Sequence, residues 1–218
     1  MNTRRQFIVL LTRLLAGLGA AAAPACALGL GSRAFAAVQR RLLPKGTDLQ
    51  GLRNDHPAAL DTSQLEIMPV ESFRTMGATD HAVSLDRWAL EVTGRVERPL
   101  QLTYAELLAL PAVEENVLLI CPGVFTIHAA WKGVAVREVL KRAGRQPGAT
   151  HVTLHGPPGP YEKVEDFKFA EVDSGRVFLA YGVNGQALPR KHGFPLRAVA
   201  ADRLGSDWVK FVYKLEAR

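Results

Sequence analysis

The chemistry open to this chain centres on one thiol. Cys121 sits in Ile120-Cys121-Pro122-Gly123, ten residues before Trp131-Lys132-Gly133-Val134. The chain has two cysteines, and the other, Cys26, falls in a segment laid out like an export leader. With that leader removed, Cys121 has no intrachain disulfide partner. A lone thiol in an exported protein points to intermolecular pairing, a reactive nucleophile or a metal ligand. A buried structural cysteine at the end of an apolar strand is the plainer use. Other familiar chemistries are missing. There is no P-loop, no His-Glu-x-x-His and no Cys-x-x-Cys. His56, His81, His128, His151, His155 and His192 lack zinc-ligand spacing. Ser174 and Ser206 lack a nucleophile elbow.

Residues 1–36 read as the leader. Arg4-Arg5-Gln6-Phe7 precedes an apolar run broken by Arg13, and Ala34-Phe35-Ala36 fits an Ala-x-Ala cleavage site. Paired arginines point to the twin-arginine machinery, which exports folded proteins, and so to a periplasmic location. Left uncleaved, the apolar run would act as a membrane anchor. The formal charge of +6 falls to +2 once the four leader arginines are set aside. No basic run interleaved with aromatics remains, so nucleic-acid binding is not expected.

What must position the thiol is one domain over 65–218, preceded by a polar, turn-rich lead over 37–64. Trp88 to Thr93 alternates as a strand closed by Gly94. Thr103-Tyr104-Ala105-Glu106 is a capping box opening a short helix that stops at Pro111. Val117 to Cys121 is a continuous apolar run, suited to a buried strand that delivers Cys121 at its end. Val134 to Ala143 has helical spacing, stopped by Gly144. His151 to Leu154, Val177 to Tyr181 and Val209 to Leu215 read as further strands. The mixture predicts an α+β fold.

The remaining motifs form a distributed pattern: Ile-Cys-Pro-Gly at 120–123, Trp-Lys-Gly-Val at 131–134 and Arg-Glu-Val-Leu-Lys-Arg-Ala-Gly at 137–144. It continues with Tyr181 to Leu188, His192-Gly-Phe-Pro-Leu-Arg197 and Gly205-Ser-Asp-Trp-Val-Lys-Phe211. In order and spacing this resembles the sulfite-oxidase-type molybdopterin domain. That family includes sulfite oxidase, plant nitrate reductase and the catalytic subunit of periplasmic methionine-sulfoxide reductase. The resemblance implies a mixed-sheet, single-domain fold and a molybdenum–molybdopterin cofactor. It makes Cys121 the protein ligand to molybdenum, a soft thiolate suited to a transition metal. Arg197 and Lys210 match residues that bind the pterin's phosphate-bearing tail. Trp208 and Val209 lie where the family donates backbone N–H groups. His192 matches a pterin-contacting position, and Arg74 and Thr75 fall in a further pterin loop. Phe125, His128, His155 and Tyr161 are candidates for the substrate pocket by their position relative to Cys121.

Departures from the family pattern narrow the reading. Sulfite oxidases carry an arginine shortly after the metal-binding cysteine. Here Pro122 to His128 contains none, which argues against sulfite. Ala200-Ala201-Asp202 replaces the usual Pro-Gly. No haem-attachment motif is present, so haem is expected on a partner, a cytochrome or membrane haem protein. The expectation is an exported oxidoreductase transferring an oxygen atom on a small-molecule substrate. Its rivals are a non-catalytic module on the same fold and a thiol-based redox or copper-handling protein.

Overall fold

The computed structural model describes residues 39–159 and 162–218. The leader expected over 1–36 and the pocket candidate Tyr161 lie outside the described residues. No helix among the described residues is long and apolar enough to cross a membrane.

The lead carries two short strands, β1 (Arg41–Leu42) and β2 (Leu60–Asp61), paired in parallel. Then come β3 (Ala89–Gly94), β4 (Leu100–Thr103) and α1 (Tyr104–Leu108). The long hairpin β5 (Ala112–Cys121) and β6 (Phe125–Ala135) leads into α2 (Val136–Ala143). β7 (His151–His155), β8 (Val164–Lys168) and α3 (Phe169–Asp173) follow. The chain closes with β9 (Val177–Val183), β10 (Gln186–Ala187), β11 (Arg197–Ala200) and β12 (Lys214–Ala217).

These strands build two five-stranded sheets. One runs β10-β9-β6-β5, with β11 also on β9; the other runs β4-β3-β12-β7-β8. Within these two sheets all pairings are antiparallel except that of β12 with β3. Leu90, Val92, Leu154 and Leu215 from the second sheet share one core with Ile127, Trp131 and Phe178 from the first. Burying such side chains contributes about 1.5–3 kcal/mol each. Gly133 stands at a register shift of β6 against β9. A Cβ there would lie 2.1 Å from Leu179 O, so only glycine lets the two backbones approach.

Strand alternation decides what faces the core. Val117 and Leu119 of β5, with Phe125, Ile127, Ala129 and Trp131 of β6, enter the main core. Leu118 and Ile120 point the other way and pack with Leu43, Leu52, Leu60 and Leu65. The polar lead is therefore a layer on the hairpin, seated by its spaced leucines, and belongs to the same compact unit as the rest of 38–218.

The capping box is present: Thr103 Oγ1 accepts from Glu106 N, and Glu106 accepts from Thr103 N. Two expected elements are corrected. Val134 and Ala135 end β6, and the helix starts at Val136. The expected strand over Val209 to Leu215 is confined to β12, because Phe211 takes a positive φ of 55° that breaks the extended run. β6 itself was not foreseen as a strand.

Candidate functional site

Alternation puts Cys121 on the same side of β5 as Val117 and Leu119, and the turn after it returns the chain at once to Phe125, its paired residue. Cys121 and Phe125 thereby line a cavity of about 330 Å³. The segment 74–78, Arg197, Trp208, Lys210 and Phe211 complete much of its wall.

Arg197 opens β11 and is 5 % exposed. Its Nη1 donates to His192 O at 3.0 Å. The guanidinium lies between two rings, 5.4 Å from the centroid of Trp131 and 5.3 Å from that of Trp208. Its Nε has no partner. Burial pushes its pKa down to about 10, partly opposed by the nearby Cys121. Gly193, at φ 111°, turns the chain beside it; a Cβ there would crowd Arg197 and Lys210 at 3.2 Å.

Lys210 sits opposite Arg197 in an isolated bridge. Its ammonium donates to Thr75 Oγ1 at 2.5 Å, Met76 O at 2.7 Å, Ala78 O at 2.9 Å and Lys191 O at 3.1 Å. Burial, then Arg197, pushes its pKa down to about 8. Cys121 is half-buried, with Sγ 3.5 Å from Met76 Sδ. Burial pushes its thiol pKa up, against the opposing pull of Arg197, Arg74 and Lys210. Arg74 is exposed, donates to Val124 O at 3.2 Å and lies 5.9 Å over the Phe125 ring.

The structure thus gathers Arg74, Thr75, Cys121, Phe125, Arg197, Trp208 and Lys210 around one space. His192 is buried behind it, edge-on to Phe73 at 5.5 Å, with Nε2 unpartnered. Burial first, then Arg197, Lys191 and Lys210, lowers its pKa to about 4. The Trp208 amide is committed to Gly205 O, so it is the indole ring that forms cavity wall. Val209 lies in the core, its carbonyl accepting from Ala198 N.

Two expected pocket residues are corrected. His128 is on the face of β6 opposite Phe125 and Ile127; its Nδ1 meets Glu66 O at 3.1 Å, under the lead. His155 is turned toward Glu216, with Nε2 3.4 Å from Oε2, and does not line the cavity. Met76 was overlooked, although it directly follows Arg74 and Thr75.

Among the described residues, no three His, Cys, Asp or Glu side chains converge as a metal site. Cys121 therefore offers one soft ligand, and a metal there must bring its others. Arg197 demands an anion: a buried cation without a counter-charge is costly. A metal carried by an anionic cofactor meets both requirements.

Comparison with known proteins agrees. The family described as oxidoreductase molybdopterin binding domain matches residues 76–218. The chain belongs to that family, and its α+β fold is of the sulfite-oxidase type. The methionine-sulfoxide reductase catalytic subunit MsrP of Gluconobacter oxydans is 31 % identical over 145 residues, covering 59 % of this chain and 46 % of that protein. NADH nitrate reductase 1 of Oryza sativa is 35 % identical over 158 residues, covering 59 % of this chain and 17 % of the relative. The chain thus spans less than half the length of these relatives. The solved structure of the sulfane dehydrogenase SoxCD from Paracoccus pantotrophus superposes with a TM-score of 0.63 at 23 % identity, over 92 % of this chain and 56 % of that one.

Proposed function

We propose that the chain is an exported molybdenum-dependent oxidoreductase. It would move an oxygen atom to or from a small substrate and exchange electrons with a separate cytochrome or membrane haem protein. The observation that carries this reading is the pairing, in one cavity, of the Cys121 thiol with a buried guanidinium lacking a counter-ion. When bound, molybdenum–molybdopterin supplies the redox and oxygen-transfer chemistry; the protein supplies binding and orientation.

Cys121 would present a soft thiolate to the metal. Burial raises its pKa, so the thiol stays protonated near neutrality until a cation displaces its proton. Arg197 would hold the phosphate-bearing tail through its planar fork, with its free Nε as a ready donor. Trp131 and Trp208 fix the plane of that fork. Phe125 and Met76 give the thiol apolar neighbours. The arginine-free stretch after Cys121 favours a substrate other than sulfite. The paired-arginine segment over 1–36 supports a twin-arginine route to the periplasm, with membrane anchoring if it is retained.

Elemental analysis of natively exported protein tests the reading. Stoichiometric molybdenum is expected in the wild type, and its loss together with redox turnover in Cys121→Ser. A wild type without molybdenum would sink the proposal. Unchanged behaviour of the variant would favour a non-catalytic module.

A further inference from the structure

Lys210 ends in a shell of oxygens. An ammonium has three N–H groups, and four acceptors lie within 3.1 Å of this one. Three of them belong to the segment 75–78, which has no helix or strand of its own. Two further ties hold the same stretch: Thr75 Oγ1 to Lys191 O at 3.3 Å, and Arg74 Nη1 to Val124 O at 3.2 Å. Between them, Met76 brings its Sδ to 3.5 Å from Cys121 Sγ. Met76 is 55 % exposed, so burial does not hold it there. The ties on either side do.

We propose that residues 74–78 form a strap across the cavity mouth, latched by Lys210, that covers the Cys121 thiol and is released when Lys210 binds an oxyanion. Every N–H of Lys210 is in use and three of its four acceptors are strap oxygens, so an oxyanion that takes two of its N–H groups must displace a strap oxygen. The exchange is favourable, because an anion offers the ammonium a full opposite charge where the strap offers only neutral oxygens. Arg197 differs, since its free Nε adds an anion without displacing anything. Arg197 is thus the anchor and Lys210 a positioning residue whose engagement uncovers the thiol. The strap rests on these contacts alone. Its link to cofactor loading rests on the function proposed above, in which an arriving phosphate would open the way to Cys121.

The test is alkylation of Cys121 by iodoacetamide at neutral pH in the full chain purified without cofactor. Mass analysis of the Cys121 peptide separates it from Cys26. Lys210→Met is expected to speed the reaction about tenfold or more, since a hydrogen bond to a charged group contributes about 1.5–3 kcal/mol and ~1.4 kcal/mol is tenfold. Lys210 also favours the thiolate through its charge. Were that its only role, the substitution would slow the reaction, so the sign discriminates. Met76→Ala alters no charge and is expected to accelerate alkylation too. It stays informative if Lys210→Met folds poorly. Inorganic pyrophosphate is expected to speed the wild type and leave Lys210→Met unchanged. A Lys210→Met rate at or below wild type overturns the latch. An unchanged Met76→Ala rate overturns the cover, and a wild type indifferent to pyrophosphate overturns release. Molybdenum plays no part in this measurement, so the strap and the proposed enzyme fail separately.

Discussion

Replacing Arg197 by methionine separates ligand binding from folding. The guanidinium is buried, its Nε is unpartnered, and burial drops its pKa well below the ordinary arginine value, to about 10. At neutral pH it is charged in both the folded and the unfolded chain, so the folded state carries a cost. At 1.36 kcal/mol per pH unit the drop corresponds to roughly 3 kcal/mol. By linkage this cost is relieved only as pH rises above about 10, where the unfolded chain binds the extra proton. Opposing it, the Trp131 and Trp208 rings contribute about 0.5–1 kcal/mol each. The bond to His192 O adds about 1–2 kcal/mol. Cost and gain nearly cancel, and methionine keeps part of the apolar stem's packing. Arg197→Met should therefore fall within about 1 kcal/mol of wild type in urea unfolding of the cofactor-free protein, a Tm change of no more than ~4 °C. Molybdenum and phosphate retained after native export should be lost. A destabilisation beyond about 3 kcal/mol with cofactor retained would refute the reasoning, because such a loss belongs to a structural network.

Two further substitutions probe the surroundings. His192 has a folded pKa of about 4, below its unfolded value, so its contribution is whole above about pH 6.5 and is lost as pH falls toward 4, by up to ~3 kcal/mol. His192→Asn should flatten that acid limb in urea titrations from neutral to acid pH; identical slopes would remove His192 as its source. Thr103→Ala deletes the hydroxyl that accepts from Glu106 N at 3.3 Å and should cost about 1 kcal/mol, read as a Tm drop of ~2–4 °C.

Legibility in the sequence followed locality. The capping box at Thr103 and the apolar run into Cys121 depend on neighbours a few residues away, and both read correctly. β6 did not, because Gly133 and Lys132 interrupt its apolar pattern to serve a bulge whose partner, β9, lies far along the chain. Phe211 left the strand pattern through a positive φ that no periodicity announces. His128 was misplaced by counting distance from Cys121 without following the two-residue alternation through the hairpin. Cys121 stood out as a lone thiol, but Arg197 and Lys210 were legible only through family resemblance. Seventy-six residues part Cys121 from Arg197, and nothing local marks a guanidinium as lacking a carboxylate.

The cavity's charge balance is the physical reason to read a ligand there. Its lining holds Arg74, Lys163, Arg197 and Lys210 against one acid, Glu162, and Lys163 is already paired with Glu165. Elsewhere the chain neutralises half-buried arginines as it folds: Arg176 pairs with Asp202, and Arg203 with Glu171. Arg197 is more buried than either and receives only a carbonyl, two aromatic faces and an unpartnered Nε. A carboxylate beside it would stabilise the protein alone but fill the position an anion must take. Arg197 therefore keeps only neutral partners and an open Nε for an anionic ligand, and Lys210, saturated by the strap, sets the condition on which the thiol beside it becomes accessible.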